Sequence, residues 1–128
     1  MIIDTSAILA ILLREPEAER FERAISAASS RRISAATLLE ATIVLESRFG
    51  PAAAHELDAF LRRAQIELEP VTPEQAQTAR QAWRRFGKGN HPAGLNFGDC
   101  FAYALAEAAR EPLLFKGRDF ELTDIPAA

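Results

Sequence analysis

Along this chain short apolar runs alternate with longer segments whose apolar residues recur at helical spacing. Met1-Ile2-Ile3-Asp4 reads as a buried strand closed by a polar residue. Thr5 to Leu13 stays apolar and contains alanine, which predicts a helix starting directly after that strand. Pro16 breaks the chain, and Glu17 to Ala28 places Phe21, Ala24 and Ile25 on one helical face. Arg32 to Ser34 is a short strand, and Ala35 to Phe49 a long helix stopped by Gly50 and Pro51. Ala52 to Gln65 predicts another helix, with Leu57, Phe60 and Leu61 on its apolar face, and Ile66 to Val71 another strand.

Thr72-Pro73-Glu74-Gln75 has the form of a helix start: Thr72 caps, Pro73 takes the first turn, and Gln75 reaches back to close a capping box. That helix runs to about Phe86 and yields to a loop, Gly87 to Gly94. Asn96 caps a last long helix from Phe97 to about Arg110, Leu113-Leu114-Phe115 forms a final strand, and Asp124-Ile125 adds a small edge. Strands alternating with helices predict an α/β fold with a central parallel sheet of about four to five strands flanked by helices. In such sheets ligands bind beyond the carboxyl ends of the strands. Asp4 ends the first strand, and Asp119 lies shortly after the last.

The 128 residues fit one domain, 1–128, long enough to bury a core without disulfides or zinc. The lone cysteine, Cys100, excludes an intrachain disulfide and points to a reducing cytoplasm. The apolar start carries Asp4 and no basic residue, unlike a signal peptide, and its longest unbroken apolar run, Ala7 to Leu13, is far short of a membrane span. A net charge of −3 speaks at first against nucleic acid. However, Gln75 to Gly98 contains no acid, while Arg80, Arg84, Arg85 and Lys88 give it a charge of +4. Such a patch attracts phosphates locally even on an acidic protein, although a solvated helix face followed by a basic loop has the same composition.

The carboxylates carry most of the information. Residues 1–13, 33–45 and 89–106 are strongly apolar, and each contains a single formal charge: Asp4, Glu40 and Asp99. An ionised carboxylate is costly to bury unless it is paired or bound to a metal, and no basic residue within these segments can pair it. Glu40 has Ala36, Thr37, Ile43 and Val44 at three- and four-residue spacing, so its face is expected to point inward. Structural roles compete with metal binding: Asp99 stands three residues after Asn96 and could stabilise a helix start, and Asp4 could cap the helix at Thr5. Asp119, among Lys116, Arg118 and Glu121, could be an ordinary loop residue. All-oxygen ligands suit Mg²⁺ or Mn²⁺, and with two histidines and one cysteine in the chain zinc is disfavoured. Carboxylate-held metals support phosphodiester hydrolysis.

Ile3-Asp4-Thr5-Ser6-Ala7, Glu40 in its alanine-rich helix, Gly87-Lys88-Gly89 with His91 to Cys100, and Leu113 to Phe120 resemble, in that order, a PIN-domain ribonuclease, closest to the VapC-type toxins of bacterial toxin–antitoxin pairs. The resemblance implies a PIN fold and Mg²⁺- or Mn²⁺-dependent cleavage of RNA such as tRNA or rRNA. It also implies inhibition by a small cognate antitoxin and homodimerisation, with no membrane partner. By position, Asp4, Glu40 and Asp99 match the metal-holding acids, Asp119 a more variable fourth, and Ser6 a hydroxyl that orients an acid or a metal-bound water. Arg84, Arg85, Lys88, Lys116 and Arg118, with Arg80, are candidates for guiding the RNA backbone. A PIN-like domain that binds RNA or protein without cutting is the alternative; such a domain usually lacks one of the acids. A phosphohydrolase with Asp4 as nucleophile would want a second aspartate where Ser6 stands.

Overall fold

The computed structural model describes residues 1–128. Its strands are β1 (Ile2–Ile3), β2 (Arg32–Ser34), β3 (Glu67–Glu69) and β4 (Leu113–Leu114). The helices are α1 (Thr5–Leu12), α2 (Ala18–Ala27), α3 (Ala35–Phe49), α4 (Ala53–Arg63), α5 (Pro73–Phe86) and α6 (Phe97–Ala109). The four strands pair in parallel in the order β3-β2-β1-β4, with Ile2 opposite both Arg32 and Leu113. The expected sheet is therefore present with four strands. The expected edge at Asp124-Ile125 is not a strand: the tail instead makes an isolated parallel bridge from Ala127 to Leu113. β3 is shorter than the predicted run from Ile66 to Val71, and its exposed Glu67 and Leu68 fit an edge position.

Alternation along the strands divides the core in two. Ile3, Ile33 and Leu114 face a cluster with Ile8, Phe21, Leu45 and Leu57 from α1 to α4. Ile2 and Leu113 face the other way, into a cluster with Ala82, Phe86, Tyr103 and Leu105 from α5 and α6. Successive strand side chains point to opposite faces, so a two-residue strand serves both layers. Burying such side chains stabilises the fold by roughly 1.5–3 kcal/mol each.

Local signals set the helix boundaries. Ser34 Oγ accepts from the Ala36 amide at the start of α3, and Gly50 ends that helix at a φ of 85°, in the region that favours glycine. Thr72 Oγ1 accepts from the Gln75 amide at 3.1 Å, but the return bond of the expected capping box is absent, because the Gln75 side chain is buried against the helix layer instead. Chain order places β2 and β4 on opposite sides of β1, so the crevice beyond β1 and β4 is where the winding of the sheet reverses.

Candidate metal centre

Asp4 leaves β1 and becomes the N-cap of α1. Its Oδ2 accepts from the Ser6 amide at 3.0 Å and from the Ser6 hydroxyl at 2.6 Å. Ser6 Oγ in turn accepts from the Lys116 amide at 2.9 Å, tying α1 to the segment after β4. Asp4 Oδ1 is buried with no hydrogen-bond partner. A buried acceptor left unpaired costs about 1–3 kcal/mol, and more when charged. Burial pushes the Asp4 carboxyl above its ordinary range, the Ser6 bonds oppose this, and the nearby Glu40 charge adds to it. Capping therefore uses one oxygen of Asp4 and leaves the other without a partner.

Asp99 also has both roles considered from the sequence. Asn96 Oδ1 accepts from the Asp99 amide at 2.9 Å while Asp99 Oδ2 accepts from the Asn96 amide at 3.0 Å, a complete capping box. Burial is also the main reason its carboxyl is pushed up to about 7, with the charges of Asp4, Asp119 and Glu40 adding to the effect. These interactions place the four acids in one electrostatic neighbourhood. No three of them converge closely enough to surround an ion with protein ligands alone. Mg²⁺ and Mn²⁺ do not require three protein ligands, being commonly held by one or two carboxylates while keeping several waters. The unpartnered Asp4 oxygen and the all-oxygen donor set fit such a cation.

Glu40 differs from the expected inward-facing helix position. The buried face of α3 is Thr37, Ala41 and Leu45, whereas Ile43, expected to share the inner face with Glu40, is 55% exposed. Glu40 is half-buried at the rim, and the 3.6-residue period carries Ile43 beyond the contact with α1 and α6. Its carboxylate is held from two sides. Thr5 Oγ1 donates to Glu40 Oε1 at 2.5 Å, and the carboxylate lies so close to Gly98 that any Cβ there would overlap Glu40 Oε2. Thr5 and Gly98 were missed from the sequence as positioning residues. The available signal was a glycine inside a helix immediately before Asp99, where it costs about 1 kcal/mol relative to alanine.

Asp119 is exposed, makes no side-chain cap bond at the 3₁₀ turn Phe120–Leu122, and contributes charge to the cluster. The basic candidates divide. Lys116 is bound by Glu15 and Glu17, Arg85 by Asp124 at 3.2 Å, and Arg118 lies 3.8 Å from Glu121. Arg80, Arg84 and Lys88 are exposed and make no ion pair, Arg80 donating only to Gln77. Cys100 is buried, and burial raises its thiol pKa to about 11, with the charge of Asp99 adding to the effect. It is an apolar wall rather than a reactive group.

Asp4 and Asp119, which follow β1 and β4, share an electrostatic neighbourhood with Glu40 and Asp99, an arrangement open to a divalent cation. The PIN domain model matches residues 1–126, and this chain belongs to that family. It is 54% identical over 125 residues to Ribonuclease VapC30 of Mycobacterium tuberculosis, covering 98% of this chain and 95% of that protein. It is 54% identical over 127 residues to Ribonuclease VapC of Mycolicibacterium smegmatis, covering 99% and 98% of the two. In three dimensions it matches the crystal structure of Mycobacterium tuberculosis VapC20, described as a sarcin-ricin loop cleaving toxin, with a TM-score of 0.77. That match covers 99% of this chain and 97% of the other at 18% identity, and so bears on the fold alone.

Proposed function

We propose that this chain is a Mg²⁺- or Mn²⁺-dependent ribonuclease of the VapC toxin type, acting as a single PIN domain on RNA such as tRNA or rRNA. The observation that carries the reading is the buried, unpartnered Asp4 Oδ1 at the carboxyl end of β1, with the charges of Glu40 and Asp99 near Asp4 and that of Asp119 near Asp99. Asp4, Glu40 and Asp99 would hold the cation, with Asp119 at the open side. When bound, the cation supplies Lewis acidity toward the scissile phosphate and lowers the pKa of an attacking water. Ser6 fixes Asp4 Oδ2 so that Oδ1 faces the site, and Thr5 fixes Glu40. Arg84 and Lys88, free of acid partners, are the best-placed guides for the RNA backbone; Arg85, Lys116 and Arg118 act in competition with their carboxylate neighbours.

A small cognate antitoxin is the proposed inhibitor, and a homodimer the proposed assembly. The exposed Leu39 and Ile43, one helical turn apart on α3, support an interface of that kind. No helix is long and apolar enough to cross a membrane, and the cytoplasm is the proposed compartment. Purified protein with RNA decides the activity: cleavage with Mg²⁺ or Mn²⁺ that is abolished by EDTA and by Asp4→Asn is the expected result. RNA bound but never cut would return the chain to a binding domain, and cleavage persisting in EDTA would refute the metal assignment.

A further inference from the structure

Between α5 and α6 lies an open groove of about 530 Å³, within the size range of small-molecule sites. Arg80, Trp83 and Arg84 from α5 and Phe97, Cys100 and Phe101 from α6 line it. Trp83 is 49% exposed and Phe97 81% exposed, while the layer beneath them is buried. Both aromatic groups are seated. Phe97 packs edge-to-face on Phe101 with ring centroids 5.0 Å apart. The Trp83 indole lies against Gly87, where a Cβ would collide with it, and Asn90 Nδ2 donates to the Trp83 carbonyl at 3.1 Å.

The only charged groups on the groove are the guanidinium groups of Arg80 and Arg84, neither ion-paired. An apolar aromatic floor with two cations and no acid suits an occupant that is flat, aromatic and anionic. A second copy whose twofold axis ran through the groove would bring the same arginines together, with no acid in the groove lining to meet them. Phe97 opens the turn of α6 that carries Asp99, two positions on and so on another face of the same helix.

We infer that this groove is a base-stacking subsite for an unpaired nucleotide of single-stranded RNA. Trp83 and Phe97 take the base, and Arg80 and Arg84 the flanking phosphates. The inference rests on the ribonuclease reading for its substrate class and adds to it residues that grip an unpaired base away from the acids. Stacking on aromatic side chains is the usual way unpaired bases are held, because every base has a π-face.

Trp83 is the sole tryptophan, so intrinsic fluorescence reports on this groove directly. The Asp4→Asn chain in Mg²⁺ is titrated with a short fluorescein-labelled single-stranded RNA, and with a duplex of the same sequence. Saturable quenching of Trp83 emission by the single strand, little by the duplex, is expected. By anisotropy, Trp83→Ala and Phe97→Ala should bind at least about fivefold more weakly, while Trp83→Phe keeps most of the affinity. RNA binding that leaves the emission unchanged overturns the proposal, and this readout needs no variant at Trp83. An emission that shifts with protein concentration alone, with Trp83→Ala sedimenting as a monomer, assigns the face to a contact between copies and also overturns it. If the parent fails to cut RNA in Mg²⁺ or Mn²⁺ while the single strand still quenches Trp83, the ribonuclease reading falls and the subsite stands.

Discussion

Asp99→Asn separates chemistry from folding, because in Asp99 one carboxyl closes a capping box and also faces the acid cluster. In the folded, metal-free protein its pKa rises from 3.8 to about 7, chiefly through burial and then through the neighbouring acids. An acid whose folded pKa is raised binds more protons folded than unfolded across that interval. Stability is therefore lost as pH rises from about 4 to about 7, and the loss is complete above it. A shift of about 3 pK units corresponds to roughly 4 kcal/mol for a fully enclosed group. Asp99 keeps some contact with solvent, so about half that is the better figure. Asparagine is neutral throughout and can still accept from the Asn96 amide; losing the charge at the helix start costs roughly 0.5–1 kcal/mol. The net gain is about 1–1.5 kcal/mol at pH 8, or about 4–6 °C in melting temperature for a domain of this size.

The assay is thermal melting of both chains in EDTA from pH 4 to pH 9. The gap should be near zero at pH 4, widen to pH 7 and then stay flat. With Mg²⁺ or Mn²⁺ the parent should recover more melting temperature than the variant, because a cation bound to the folded state stabilises it by mass action. RNA cleavage by the variant should fall by orders of magnitude. A variant that melts several degrees below the metal-free parent at every pH, and still cuts RNA, would refute the reasoning and leave Asp99 as a cap alone.

Gly98→Ala should displace the Glu40 carboxylate, since the added methyl would occupy its place; metal-dependent cleavage and Mn²⁺ affinity should fall while far-UV circular dichroism stays native, and unchanged Mn²⁺ affinity would remove Glu40 from the site. Neutralising Arg84, Arg85 and Lys88 together should weaken RNA binding and flatten its dependence on log salt by about two or three phosphate contacts. Arg85 alone should matter least, because Asp124 already competes for it; an unchanged slope in the triple variant would make the stretch a solvated helix face.

The sequence by itself determined the order of the elements and the parallel sheet, and it singled out three acids that the fold brings into one electrostatic neighbourhood. A lone carboxylate in an apolar segment has few physical explanations, and Asp4, Glu40 and Asp99 each met that condition. Helix ends were legible where a residue acts on its own backbone, as at Gly50, Thr72 and Asn96, whose interactions span only a few residues. What lay beyond the sequence depended on contacts between distant segments. The inner face of α3 excludes Ile43 because α1 and α6 cover only part of the helix, which spacing alone does not reveal. Thr5 and Gly98 became meaningful only when α1, α3 and α6 met around the Glu40 carboxylate. Local sequence writes periodicity and caps, because those interactions close within a turn. Which cations remain free, as Arg84 does and Lys116 does not, is decided by partners dozens of residues away, and only the folded chain brings them together.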